Sequence, residues 1–173
     1  LDSRAAGMAD GAQIINYDIA TYSQVVNAPQ NFNTTGQTIS TTSYSQTCNG
    51  GYTADARTID LQLGANQQLM HVFSGGNQGQ ANCNYGAGTG WGTITGGYKA
   101  SKHVMAAGNT TYLGVIDPTS SRGPSADGRI KPDICANGTN QISTDPNNAY
   151  APGGGTSAAS PGIAGITAQL YQA

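Results

Sequence analysis

The chain has 173 residues, enough for one hydrophobic core and too few for two ordinary domains. Its 7 Lys and Arg against 9 Asp and Glu leave a net charge of −2, which argues against a nucleic-acid-binding surface. Gly is abundant, yet apolar runs recur at intervals, so a folded domain is expected rather than disorder; none of the runs approaches the ~20 apolar residues of a membrane span.

In chain order, Ile14–Asp18 and Thr38–Tyr44 read as strands. Thr53–Gln67 reads as a helix with Ala56, Ile59, Leu63 and Ala65 as its apolar stripe, and Asp55, Arg57 and Asp60 as solvated charges rather than a metal site. Leu69–Phe73 is a short buried-strand pattern that contains His71. A Gly-rich loop, Tyr85–Lys99, carries Trp91 and is long enough to line a cleft. Val104–Ala107 and Asp133–Ala136 are further strands. From Pro161 onward, Ile163, Ile166 and Leu170 with small residues between them predict a helix buried on most of its circumference. Such alternation points to a three-layer α/β domain with a mostly parallel sheet.

Two short segments carry chemistry. Gly153-Gly154-Gly155 gives a backbone open to unusual conformations just before Thr156-Ser157-Ala158-Ala159-Ser160-Pro161. Ser157 then sits at a helix N-terminus, where N–H groups and the helix dipole favour a developing negative charge, although a serine there often serves only as an N-cap. Ser74-Gly75-Gly76-Asn77-Gln78-Gly79 closes the Leu69–Phe73 strand in a turn. The Asn77 amide is a neutral donor suited to an oxyanion, and equally an ordinary turn asparagine.

The three cysteines divide by surroundings. Cys48 and Cys83 lie in polar Gly/Asn-rich loops and are expected to form a disulfide, with Cys135 left as a buried free thiol in a strand. Zinc is disfavoured, since no Cys-x-x-Cys or histidine pair accompanies them.

Taken together, Gly155-Thr156-Ser157-Ala158-Ala159-Ser160-Pro161, the Gly-Asn turn at Asn77, Ser120-Ser121-Arg122-Gly123-Pro124 with Lys131-Pro132-Asp133, and Gly7-Met8-Ala9 resemble segments of the subtilisin-like serine proteases. The resemblance covers nearly the whole chain and implies a subtilisin-like fold. It implies a serine endopeptidase working through an acyl-enzyme, with Ser157 as nucleophile and Asn77 as oxyanion donor. Ser43, Tyr44 and Ser45, with Ser74, Gly75 and Gly76, would line the peptide-binding cleft; Ser45 stands where the family usually has glycine. The segment before Asp133 reads as scaffold, with Arg122 or Lys131 as an ion-pair partner.

The family's aspartate and histidine motifs are absent. His71 and His103 are the chain's 2 histidines, and both match scaffold positions better than a catalytic base. Residues 1–173 are therefore expected to be a partial peptidase domain, incomplete on its N-terminal side, that needs the missing N-terminal part as partner and is inactive alone. In the family's sheet, the aspartate strand would lie between strands this chain contains. A protein or peptide substrate, secretion, no cofactor for the chemistry and an optional structural calcium follow from the same resemblance. A non-catalytic peptide-binding or assembly remnant is the alternative; a lipase-like esterase is weaker, because no Gly-x-Ser-x-Gly elbow surrounds Ser157.

Overall fold

The computed structural model describes residues 5–17, 28–44, 48, 51–84, 86–94 and 96–173. Four parallel strands form the central sheet in the order β1 (Ile39–Thr42), β2 (Met70–Ser74), β3 (Met105–Thr110) and β4 (Ile134–Asn137). Thr41 pairs with Val72, Val72 with Met105, and Ala107 with Ile134.

Helix α1 (Ala28–Thr35) ends where Gly36, at φ +74°, donates its N–H to Phe32 O, a glycine-terminated helix end. Helix α2 (Ala54–Ala65) starts at Thr53, whose hydroxyl caps the Ala56 N–H. Helix α3 (Thr156–Gln172) follows an antiparallel hairpin, β5 (Gln141–Asp145) and β6 (Ala149–Gly153).

Side-chain alternation along the strands sorts the core into two layers. Val72 and Ala107 pack with Ile163 and Ala164 of α3 on one face. Leu69, Phe73 and Val104 pack with Ile59 and Leu63 of α2, and with Tyr98, on the other. The three-layer α/β arrangement with a mostly parallel sheet is thus present.

Several expectations are corrected. Residues 14–17 of the predicted strand Ile14–Asp18 are irregular, with Ile14 84% exposed, and Asp18 lies outside the described residues. Among the described residues the sheet is contiguous from β1 to β4 and carries no empty interior position. Helix α3 buries one face only: Ile163 and Ala164 are inside, whereas Ile166, Leu170 and Tyr171 are exposed. Asp60 is buried rather than solvated, accepting from the Tyr52 hydroxyl at 2.6 Å and from the Lys102 and His103 N–H groups. Burial raises its pKa, but these donors outweigh that and hold the carboxyl below its ordinary value.

Cys48 and Cys83 are joined by a disulfide with Cα atoms 5.2 Å apart. Cys135 is free but exposed, on β4, an outer strand of the sheet among the described residues. In the scaffold segment, Lys131 is the ion-pair residue, 2.6 Å from Asp133, while Arg122 stacks over Trp91.

Candidate active site

Three chain segments meet at the start of α3. Gly155 is its N-cap residue, at φ +93°, a conformation that L side chains rarely adopt. A Cβ there would also lie 2.9 Å from Asn77 Nδ2, so both backbone and space require glycine. This turn lets the Asn77 side chain lie against the helix end.

Asn77 Oδ1 accepts from the Thr156 N–H and from the Thr156 hydroxyl, each at 2.9 Å. A backbone N–H can only donate, so the oxygen of the amide must face the helix. The Nδ2 group is turned away, and among the described residues it donates to no acceptor. Asn77 therefore caps α3 from a neighbouring strand end, with its Nδ2 group against Gly155 and unpartnered among the described residues. Thr156, fully buried, extends the clamp: its hydroxyl also accepts the Gly76 N–H at 3.1 Å.

Ser157 is the second residue of the helix, where no preceding turn supplies an acceptor for its N–H. Its Oγ lies 3.3 Å from Ser43 O, and the Ser43 hydroxyl donates to Ser157 O at 3.1 Å. The helix start is thereby tied to the chain just past β1. One turn on, Ser160 and Thr41 hydroxyls meet at 3.1 Å.

The residues expected along the cleft fall into different roles. Ser43 is exposed at the rim. The Tyr44 ring is turned into the core, edge-on to Tyr98 at 6.4 Å. Ser45 lies outside the described residues. Ser74 is buried, Gly75 donates to Ala107 O, and Gly76 O accepts from the Ser121 N–H at 2.8 Å. The Gly75–Gly76 backbone is thus a paired wall, while β1 is the outer strand of the sheet among the described residues.

Neither histidine faces Ser157. His71 shares the β2 face of Phe73, on the α2 side, with its Nδ1 hydrogen-bonded to Ser40 Oγ; burial pushes its pKa down to about 4. The sheet separates it from α3. His103 is held on the same side as α2, where its Nδ1 lies 3.5 Å from Asp60. Among the described residues no three His, Cys, Asp or Glu side chains converge on a common point, so no cation site is assigned.

The clamp that Thr156 makes on Asn77 was not legible in the motif. Nothing in the sequence marked Lys99, which lies in a 3₁₀ turn (Gly97–Ala100) and brings its Nζ to the Gly76 backbone.

The chain matches the model of the subtilase family over residues 2–173. Among curated proteins, C5a peptidase of Streptococcus pyogenes is 42% identical over 80 residues, which is 46% of this chain and 6% of that protein. Among solved structures, the PatG macrocyclase in complex with peptide superposes with a TM-score of 0.71 at 17% identity, covering 99% of this chain and 50% of its own. The self-cleaved protease domain of PatA gives 0.69 at 18% identity, covering 98% and 61%. The prenylagaramide maturation protease PagA gives 0.65 at 20% identity, covering 93% and 52%. These likenesses are of fold: the chain spans about half to three-fifths of each of these structures.

Proposed function

The chain belongs to the subtilase family of serine proteases, and on that footing we propose that it is the nucleophile and oxyanion half of a secreted endopeptidase. The observation that carries the reading is the Asn77 amide, locked by Thr156 with its oxygen on the start of the helix that bears Ser157 and its Nδ2 unpartnered among the described residues. Ser157 Oγ attacks the peptide carbonyl, and the Ser157 N–H and Asn77 Nδ2 hold the oxyanion that forms. The amine leaves, and water hydrolyses the acyl-enzyme. A serine hydroxyl needs a neighbouring base. Since both histidines of this chain lie across the sheet, that base and its orienting aspartate come from outside residues 1–173. The Cys48–Cys83 bridge supports an oxidising, extracellular setting.

The same placement of the histidines favours one second reading, a peptide-binding module without chemistry. A fluorophosphonate probe separates the two. In the natural full-length protein, recovered from culture fluid rather than cell extract, Ser157 is expected to label and Ser157→Ala to lose both label and proteolysis. Residues 1–173 alone are expected to stay unlabelled. An unlabelled full-length protein that still binds peptides establishes the second reading. A labelled 173-residue chain places the base within it.

A further inference from the structure

Lys99 is 94% out of contact with solvent by its 6% exposure, yet its ammonium has no hydrogen-bond or ion-pair partner among the described residues. The elements around it are fixed. Its neighbour Tyr98 stacks on Phe73 with ring centroids 5.7 Å apart. On the other side, Ala100 O accepts from Arg129 at 2.6 Å, and the Ser101 hydroxyl donates to Ala56 O. The lysine is therefore presented from a rigid turn.

Its Nζ reaches the end of β2. A Cβ built on Gly76 would lie 3.1 Å from Lys99 Nζ and 2.8 Å from Ser121 Oγ. Gly76 immediately precedes Asn77, so the charge sits under the wall next to the oxyanion donor. A buried cation with no counter-charge is costly, and proteins rarely keep one unless a partner arrives. The described side chains do not supply one here.

We propose that Lys99 is a specificity-determining residue whose counter-ion is brought by the substrate: a peptide with a Glu or Asp side chain on the residue that contributes the attacked carbonyl. This rests on the cleft assignment made above. The carbonyl of that residue lies at Ser157 and Asn77, so its side chain starts within a few ångströms of Gly76. A side chain at Gly76 would press on Ser121 Oγ and Lys99 Nζ, so glycine is what lets the ammonium lie directly against this wall. A carboxylate there forms a charge-assisted hydrogen bond in a site shielded from water, which an amide of the same shape does not match.

The test uses the natural full-length protein carrying Ser157→Ala, which removes chemistry from the measurement. Peptides that end in Glu, Gln, Leu or Lys and are otherwise identical are titrated into it by calorimetry. The Glu peptide is expected to bind about 10-fold or more tightly than the Gln peptide. Adding Lys99→Met, which fills the same space without charge, is expected to abolish that difference and leave Leu-peptide binding within about 2-fold. Equal binding of the Glu and Gln peptides before Lys99 is changed overturns the proposal. So does a Glu preference that survives Lys99→Met. Failure of the protease reading looks different: Ser157 stays unlabelled by fluorophosphonate while the Glu preference and its loss in Lys99→Met persist.

Discussion

At the scale of single residues, Asn77 does two jobs with opposite ends of one amide. Its oxygen caps α3 through Thr156, and its nitrogen is left for the oxyanion. Substitutions can separate these. Asn77→Leu removes both, leaving the buried Thr156 donors unsatisfied, so it is expected to lower stability by roughly 1–3 kcal/mol and turnover by ~10²–10³-fold. Asn77→Asp keeps an acceptor for Thr156 at a helix N-terminus, so its melting temperature is expected to stay near that of the unaltered protein. It has no N–H to offer and sets a negative charge where the oxyanion forms, so its turnover is expected to fall at least as far as that of Asn77→Leu. Melting curves and steady-state kinetics on the full-length protein check both; an active Asn77→Asp protein would remove the oxyanion role. The motifs made Ser157 and Asn77 legible, because their local turns need particular residues. Thr156 and Lys99 were not, since their roles depend on residues about 80 and 23 positions away, Asn77 and Gly76.

At the scale of elements, the 3₁₀ turn carries an energetic mark. Burial lowers the Lys99 pKa from 10.5 to about 8. Between those values the unfolded chain binds more protons than the folded one, so stability is expected to rise with pH from about 8 towards 10.5, by up to roughly 1.4 kcal/mol per unit. Below that window both states are protonated and the cost of burying the charge is fully present. Lys99→Met is expected to be more stable than the unaltered protein at pH 7, with the gap narrowing as pH rises through the window. Melting temperatures of the two proteins at pH 7 and 9.5 check this. A constant gap would mean that the ammonium is not buried in solution. Most elements were readable from apolar runs: β1, α2, β2, β3 and β4 lie within a residue or a few of their expected positions. Residues 14–17 were misleading because two adjacent isoleucines supply hydrophobicity without a partner strand among the described residues to bury it. The β5–β6 hairpin went unread, although Asn147 and Asn148, both with positive φ, are apt for its turn.

At the scale of the molecule, the disulfide ties the segment after β1 to the loop after β2, so the two sides of the cleft are fastened outside the sheet as well as within it. The sheet itself divides the protein into a face bearing Ser157 and a face bearing both histidines, a division that alternation along β2 imposed and composition could not disclose. Its outer strand has another side. β1, Ile39–Thr42, outermost in the sheet among the described residues, carries no lysine or proline of the kind that keeps strand edges apart. An open strand edge can pair with an extended peptide, and equally with the same edge of another copy. Concentrated protein is therefore expected to self-associate slowly into strand-paired oligomers, visible as rising light scattering and thioflavin binding. A peptide that occupies the cleft is expected to suppress this, and equal self-association with and without such a peptide would place the sticky surface elsewhere. Where peptide does suppress it, substrate doubles as the molecule's own guard against aggregation.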